Sequence, residues 1–228
     1  FLGPRTAFER SLVALGFHEN VTFTFLPGEQ AEWFARGGDV GRLEVDHSSR
    51  RQENALRRSI LPSLLRARRL NETVQVRRAD LFELGHVFNP RCSDDMPHEP
   101  LRVALCTDGD FRFARGVVEE MLRRLDPSAE LTIEPHGRDE LVAGQAARLL
   151  LDREEVGLIG TVAPKVRDAF DLGLDVTVAE LDVAPLLERA ERQRHHAPLA
   201  RFPAVERDLS IFVDQATPWA RVEQVVWQ

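Results

Sequence analysis

Apolar positions first recur with a helical period. Phe8, Leu12 and Leu15 fall on one face, Pro4 suits the opening turn and Gly16 the end, which predicts a helix across this segment. The period then drops to two. Residues 20–26, NVTFTFL, alternate Val21, Phe23 and Phe25 with Asn20, Thr22 and Thr24, and predict a half-buried strand. A short helix over 29–35, a glycine turn at Gly37 and Gly38, and a polar loop over 45–54 follow. Residues 59–72, SILPSLLRARRLNE, read as a helix with Pro62 in its first turn and Leu61, Leu64 and Leu65 inward. A strand over 79–88 and a polar loop up to Pro100 complete the first half.

The second half has the same mixed grammar. Residues 101–108 predict a strand, and 113–125 an amphipathic helix whose apolar side is Val117, Val118, Met121, Leu122 and Leu125. A strand over 130–135 precedes a hairpin over 147–163, two apolar arms around a charged turn at 152–155. Pro164 opens a short helix, 176–183 is a strand, and 207–213 alternates Leu209, Ile211 and Val213 as another. Strands and helices mix without a regular repeat, so the expected class is α+β with a mixed or antiparallel sheet flanked by helices. The charged, proline-bounded stretch 186–203 marks a domain boundary.

Composition narrows the setting. The chain has 228 residues, enough for one large domain or two ordinary ones, and its 43% apolar content fits a folded protein. A formal charge of -7 argues against a surface that grips nucleic acid everywhere. No apolar run approaches the ~20 residues of a bilayer span, so no membrane partner is expected. The first residues lack a signal-peptide pattern, and two cysteines, Cys92 and Cys106, make no disulfide framework. A cytoplasmic location follows as the expectation. Phe1 starts abruptly and Gln228 falls in a helix just begun, which reads as a piece of a longer protein.

Chemistry-bearing motifs are mostly missing. There is no phosphate-binding glycine loop, dinucleotide turn or nucleophile elbow. His86, Cys92, His98 and Cys106 lack the closely paired spacing of a zinc site, so no metal is expected. Ser59 and Ser63 have no nominated base. Arginines instead crowd one segment: Arg50, Arg51, Arg57, Arg58, Arg66, Arg68, Arg69, Arg77 and Arg78. They are candidates for RNA phosphate or partner carboxylates, against the plainer reading of a solvated helix face. On the 79–88 strand, Phe82, Leu84 and Phe88 take one face and Leu81, Glu83, Gly85 and Val87 the other. Glu83 beside Gly85 suits a ligand cleft, or a carboxylate paired to a nearby arginine.

Residues 55–71, ALRRSILPSLLRARRLN, followed by RRADLFELGHVF, resemble a stretch of class II aminoacyl-tRNA synthetases. There a Leu-Arg-x-Ser helix start precedes a strand ending Phe-Arg-x-Glu. Here Phe88 keeps the phenylalanine, Asn89 stands at the arginine that clamps the α-phosphate, and Arg91 at the glutamate on the adenine side. No G-x-G-x-G-x-x-R segment supplies a second ATP arginine. Further blocks, LVALGFHENVTFTF, GQAARLLLDREEVGLIGTVAPKV and FPAVERDLSIFVD, in that order, resemble the beta subunit of bacterial phenylalanyl-tRNA synthetase over essentially the whole chain. Val142 and Ala143 stand where that family often has His-Pro before Gly-Gln.

The resemblance implies a class II-like module over 1–198 and the truncated start of a ferredoxin-like anticodon-binding domain over 199–228. It implies a non-catalytic module, with no catalytic, cofactor or metal residues of its own, that packs on the alpha subunit. The parent ligase joins phenylalanine to its tRNA with ATP and magnesium, as two alpha and two beta chains. Subunit or RNA contacts are expected from Arg57, Arg58, Arg66, Arg69 and Glu83. The alternatives are a competent but divergent class II ligase, and a stand-alone tRNA-binding or regulatory paralogue whose RNA surface is the arginine run.

Overall fold

The computed structural model describes residues 4–37, 41–46, 52–76, 78–90, 96–190 and 207–226. These fall in two compact units, 1–192 and 193–228. In chain order the first unit runs α1 (Pro4–Ala14), β1 (His18–Glu19), β2 (Phe25–Leu26), α2 (Gly28–Ala31), β3 (Ala55–Leu56) and α3 (Leu61–Thr73). It continues with β4 (Leu81–His86), β5 (Leu101–Thr107), α4 (Phe111–Leu125), β6 (Leu131–Pro135), β7 (Leu141–Leu151) and β8 (Glu154–Val162). It closes with α5 (Pro164–Ala169), β9 (Thr177–Asp182) and α6 (Ala184–Ala190).

One seven-stranded sheet organises the unit, in the order β1-β4-β5-β9-β8-β7-β6, while β2 and β3 pair separately. Only β1 and β4 run parallel; every other pairing in the large sheet is antiparallel. The expected α+β class with a mixed sheet is therefore what forms. The hairpin between β7 and β8 turns on Asp152 and Arg153, whose φ angles of 52° and 72° give the twist that a two-residue connection between antiparallel strands requires.

Each sheet face has its own core. Phe82, Val103, Leu105, Leu149, Ile159, Ala179 and Leu181 join Phe8 and Leu12 of α1, Val118 and Met121 of α4, and Leu186 of α6. The opposite face sets Leu81, Ala104, Cys106, Leu158 and Val178 against Ile60, Leu61, Leu64 and Leu65 at the start of α3. Each fully buried Leu or Phe in these layers contributes about 1.5–3 kcal/mol relative to exposure. α1 ends where Gly16 takes φ 93° and Phe17 N–H returns to the Leu12 carbonyl, a glycine C-cap. α4 starts on Asp110, whose carboxylate accepts from Phe113 N–H at 2.8 Å.

Three expectations need correction. Residues 20–24 form no strand, and the alternation there points the other way: Val21 and Phe23 are 91% and 84% exposed. Thr22 instead turns inward because a buried carboxylate, Glu83, accepts its hydroxyl at 2.6 Å. Second, the stretch expected to divide the chain does contain the division between the two units, at 192/193, but its first residues stay helical as far as Ala190 within the first unit, since Leu186 enters the core and Arg189 pairs with Asp126 at 3.0 Å. Third, residues 207–213 form no strand in the second unit: among its described residues no strand lies alongside to complete a ladder. The helix expected near Trp219 is present as α7 (Trp219–Val226). No helix of the described residues is long and apolar enough to cross a membrane.

Candidate functional site

The register of the sheet assembles the site. Glu83 on β4 stands beside Ala104 on β5, which stands beside Glu180 on β9 and then Leu158 on β8. Two residues along, Gly85, Arg102 and Asp182 make the next row. Side chains two apart on a strand share a face, so Glu83, Arg102, Glu180 and Asp182 project from one surface, the one that α3 covers.

Arginines from the covering segments meet these carboxylates. Arg57 donates from Nη1 to Glu83 Oε1 at 2.8 Å and to Thr22 Oγ1 at 2.9 Å, and from Nε to the His86 carbonyl at 3.0 Å. Both charges are nearly out of water, Arg57 at 2% and Glu83 at 3% exposure. Arg102 donates to Asp182 at 2.8 Å, to Glu180 at 3.0 Å and to the Arg58 carbonyl at 3.0 Å. Arg58 reaches Glu32 at 3.0 Å, and Arg36 binds Asp182. Glu180 also takes Ser59 Oγ at 2.9 Å and Ile60 N–H at 2.6 Å, placing a carboxylate at the start of α3, where the positive end of the helix dipole favours it.

Four guanidinium groups (Arg36, Arg57, Arg58 and Arg102) thus face four carboxylates (Glu32, Glu83, Glu180 and Asp182), a neutral lattice. Gly85 is explained by the same lattice. A Cβ there would lie 2.4 Å from Arg57 Nη2, so the glycine makes room for the arginine rather than for a ligand.

Asn89 lies past the end of β4, bridged to His98 by backbone hydrogen bonds of 2.9 and 3.0 Å. Its Oδ1 is buried without a hydrogen-bond partner. It lines a cavity of about 290 Å³ with Arg36, Gly37, Pro90, Arg102 and Glu155. Arg91 and Cys92 lie outside the described residues, as do Arg50, Arg51 and Arg77. His86 Nδ1 sits 3.0 Å from the Glu99 carbonyl, and burial pushes the Cys106 thiol well above its ordinary pKa.

A second feature lies on the outer side of α3. A groove of about 710 Å³ runs between 20–26 and that helix, with Val21, Phe23, Leu26, Leu70 and Phe170 as its apolar lining. Ser63 Oγ and Gln30 Oε1, both in the lining, are buried without partners. Arg66 and Arg69 stand at its rim, paired to Glu53 and Asp171.

The arginine run therefore divides. Arg57, Arg58 and Glu83 are buried and paired within the chain, while Arg66 and Arg69 remain at the surface. Nor is the run a solvated helix face throughout, since Arg68 is fully buried against Asp108 at 2.7 Å. Sequence reasoning missed Arg36, Arg102, Glu180 and Asp182. The available signal was a charge of one phase inside otherwise apolar strands, at Arg102 in LRVALCT and Glu180 in TVAELD.

This mainly antiparallel sheet with helices on both faces is a fold shared with solved aminoacyl-tRNA synthetases. Pyrrolysyl-tRNA synthetase of Desulfitobacterium hafniense superposes with a TM-score of 0.63 at 14% identity, over 81% of this chain and 67% of that one. A second structure of that synthetase gives 0.61 at 16% identity.

The chain belongs to the family described as the phenylalanyl tRNA synthetase beta chain CLM domain, which matches residues 4–183. Among relatives, the phenylalanine–tRNA ligase beta subunit of Symbiobacterium thermophilum is 32% identical over 97% of this chain and 27% of its own length. That of Dehalococcoides mccartyi is 28% identical, over 93% of this chain and 28% of its own. That of Rhodopirellula baltica is 30% identical, over 97% and 34%. The chain thus spans about a third or less of these relatives.

Proposed function

We propose that this chain is the assembly module of a phenylalanine–tRNA ligase beta subunit, a class II synthetase fold that no longer handles nucleotide and packs on the alpha subunit. The observation that carries this is the filled sheet face. Binding a polyphosphate takes charge-assisted donors aimed at it, and on this surface the guanidinium groups are matched one for one by the chain's own carboxylates. Asn89, neutral, stands at the clamp position. The residues present do not fit an ATP–magnesium complex.

The groove supplies the partner surface. An apolar centre with a charged rim is the anatomy of a protein interface, and Val21 and Phe23 lie exposed where no core requires them. On this reading the parent enzyme charges phenylalanine tRNA in the cytoplasm as two alpha and two beta chains, the alpha chain doing the chemistry with ATP and magnesium. Residues 1–198 are the synthetase-like module, and 199–228 open an anticodon-binding domain.

Two measurements test the reading. Titration calorimetry of the chain with ATP–magnesium is expected to give no heat of binding; micromolar affinity would restore a nucleotide site. Co-expression with the alpha subunit is expected to yield a complex that Val21→Ser with Phe23→Ser abolishes while the melting temperature stays put. Retention of the complex by that variant would move the interface elsewhere.

A further inference from the structure

Residues 32–37, which lead away from α2, are pinned to the rest of the unit at nearly every position. Glu32 takes Arg58 at 3.0 Å, and Phe34 N–H donates to Glu140 Oε1 at 3.3 Å. The Ala35 carbonyl accepts from Arg138 at 3.0 Å and the Arg36 carbonyl from Arg58 at 3.5 Å. The Arg36 guanidinium binds Asp182 and reaches the Val156 carbonyl at 3.4 Å. Phe34 is fully buried with φ 62°. A bulky residue in the left-handed region is strained and persists only where its surroundings over-determine it.

We propose that residues 32–37 are a built-in strap that closes the cleft at Asn89, with Arg36 seated on Asp182 in place of any outside ligand. The proposal rests on the reading above, that this module excludes nucleotide, and assigns part of that exclusion to the strap. The same Asp182 carboxylate is shared by Arg36 and Arg102, and both arginines form walls of the cavity that Asn89 lines. At about 290 Å³ that space falls at the floor of the ~300–1,000 Å³ that small-molecule pockets occupy. Its donors are already satisfied from within. Exclusion is therefore double: the clamp residue is absent, and the room it would need is taken.

The consequence is specific. Asn89→Arg with Arg91→Glu restores both residue types of the Phe-Arg-x-Glu pattern but leaves the strap in place, and this double variant is expected to bind ATP–magnesium only weakly by calorimetry. Adding Glu32→Ala and Arg36→Ala removes two pins. Because apparent affinity scales with the fraction of molecules in the open form, the fourfold variant is expected to bind ATP–magnesium about tenfold or more tighter than the double variant. Trp33 lies within the strap, and its fluorescence is expected to shift when the pins are lost. Should the fourfold variant unfold, judged by circular dichroism, Arg36→Ala on the double variant is the milder form with the same expected direction. Equal ATP binding by the double and unpinned variants, at any level including none, overturns the strap as the barrier. ATP binding by the unaltered chain is a separate result, which overturns the proposed function itself.

Discussion

Replacing Glu83 with alanine would strand a guanidinium almost wholly out of water. Arg57 would keep Thr22 Oγ1 and the His86 carbonyl as neutral acceptors, and lose the one charged partner it has within hydrogen-bond distance among the described residues. Removing one member of a buried ion pair costs roughly 3–5 kcal/mol, because the remaining charge stays desolvated. For a domain of 150–250 residues each kcal/mol moves the melting temperature by about 2–4 °C, so the expected drop is about 6–20 °C. Urea denaturation followed by circular dichroism measures the free energy directly. A second variant isolates the cause. Arg57→Met with Glu83→Leu removes both charges and is expected to recover most of the loss, since an apolar pair of similar volume is often neutral or stabilising. In an assembled ligase the Glu83 variant should impair folding or association before it impairs phenylalanine activation. A loss of about 1 kcal/mol or less, the scale of an exposed pair, would refute the claim that this contact is a buried structural bond.

Gly157→Ala is expected to destabilise by at least ~1–3 kcal/mol, because its Cβ would lie 2.3 Å from the Glu180 carbonyl and 3.0 Å from Leu181 Cα, backbone that cannot yield without parting β8 from β9. Gly116→Ala, in the exposed middle of α4 with nothing within 4 Å, should instead stabilise by ~0.5–1 kcal/mol; chemical denaturation of both variants checks the contrast. Burial opposes ionisation of Glu140, but the hydrogen bonds and charge of Arg138, with Phe34 N–H, outweigh it and lower its pKa from the ordinary 4.5. A depressed carboxylate pKa stabilises the fold above the unfolded value and loses that contribution as pH falls through the folded value. The stability gap between the native chain and Glu140→Gln should therefore be full at neutral pH and close below pH 4.5; a gap that widens in acid would show the sign to be wrong.

How far the sequence carried the structure depended on the range over which each decision is made. The β7–β8 hairpin was legible because two apolar arms and a charged turn are neighbours in the chain, and the left-handed angles at Asp152 and Arg153 need no distant partner. The 20–24 segment marks the opposite case. Its alternation was real, but alternation fixes only which residues share a side, and the choice of side was made by Glu83, 61 positions away from Thr22. The arginine run failed for the same reason. Whether an arginine is solvated or buried depends on carboxylates brought to it by the sheet, and Ser59 meets Glu180 across 121 positions while Arg36 meets Asp182 across 146. Family resemblance singled out Asn89 because it compares positions rather than local patterns. It said nothing of the strap, whose pins, apart from Glu32, Arg36 and Arg58 themselves, come from β9, the loop before β7 and the β8 backbone. On the proposed reading, a lost nucleotide site would leave two marks of different kinds. The missing donor would be written in a few adjacent residues, while the refilled space would be written across the whole fold and become visible only when the chain closes on itself.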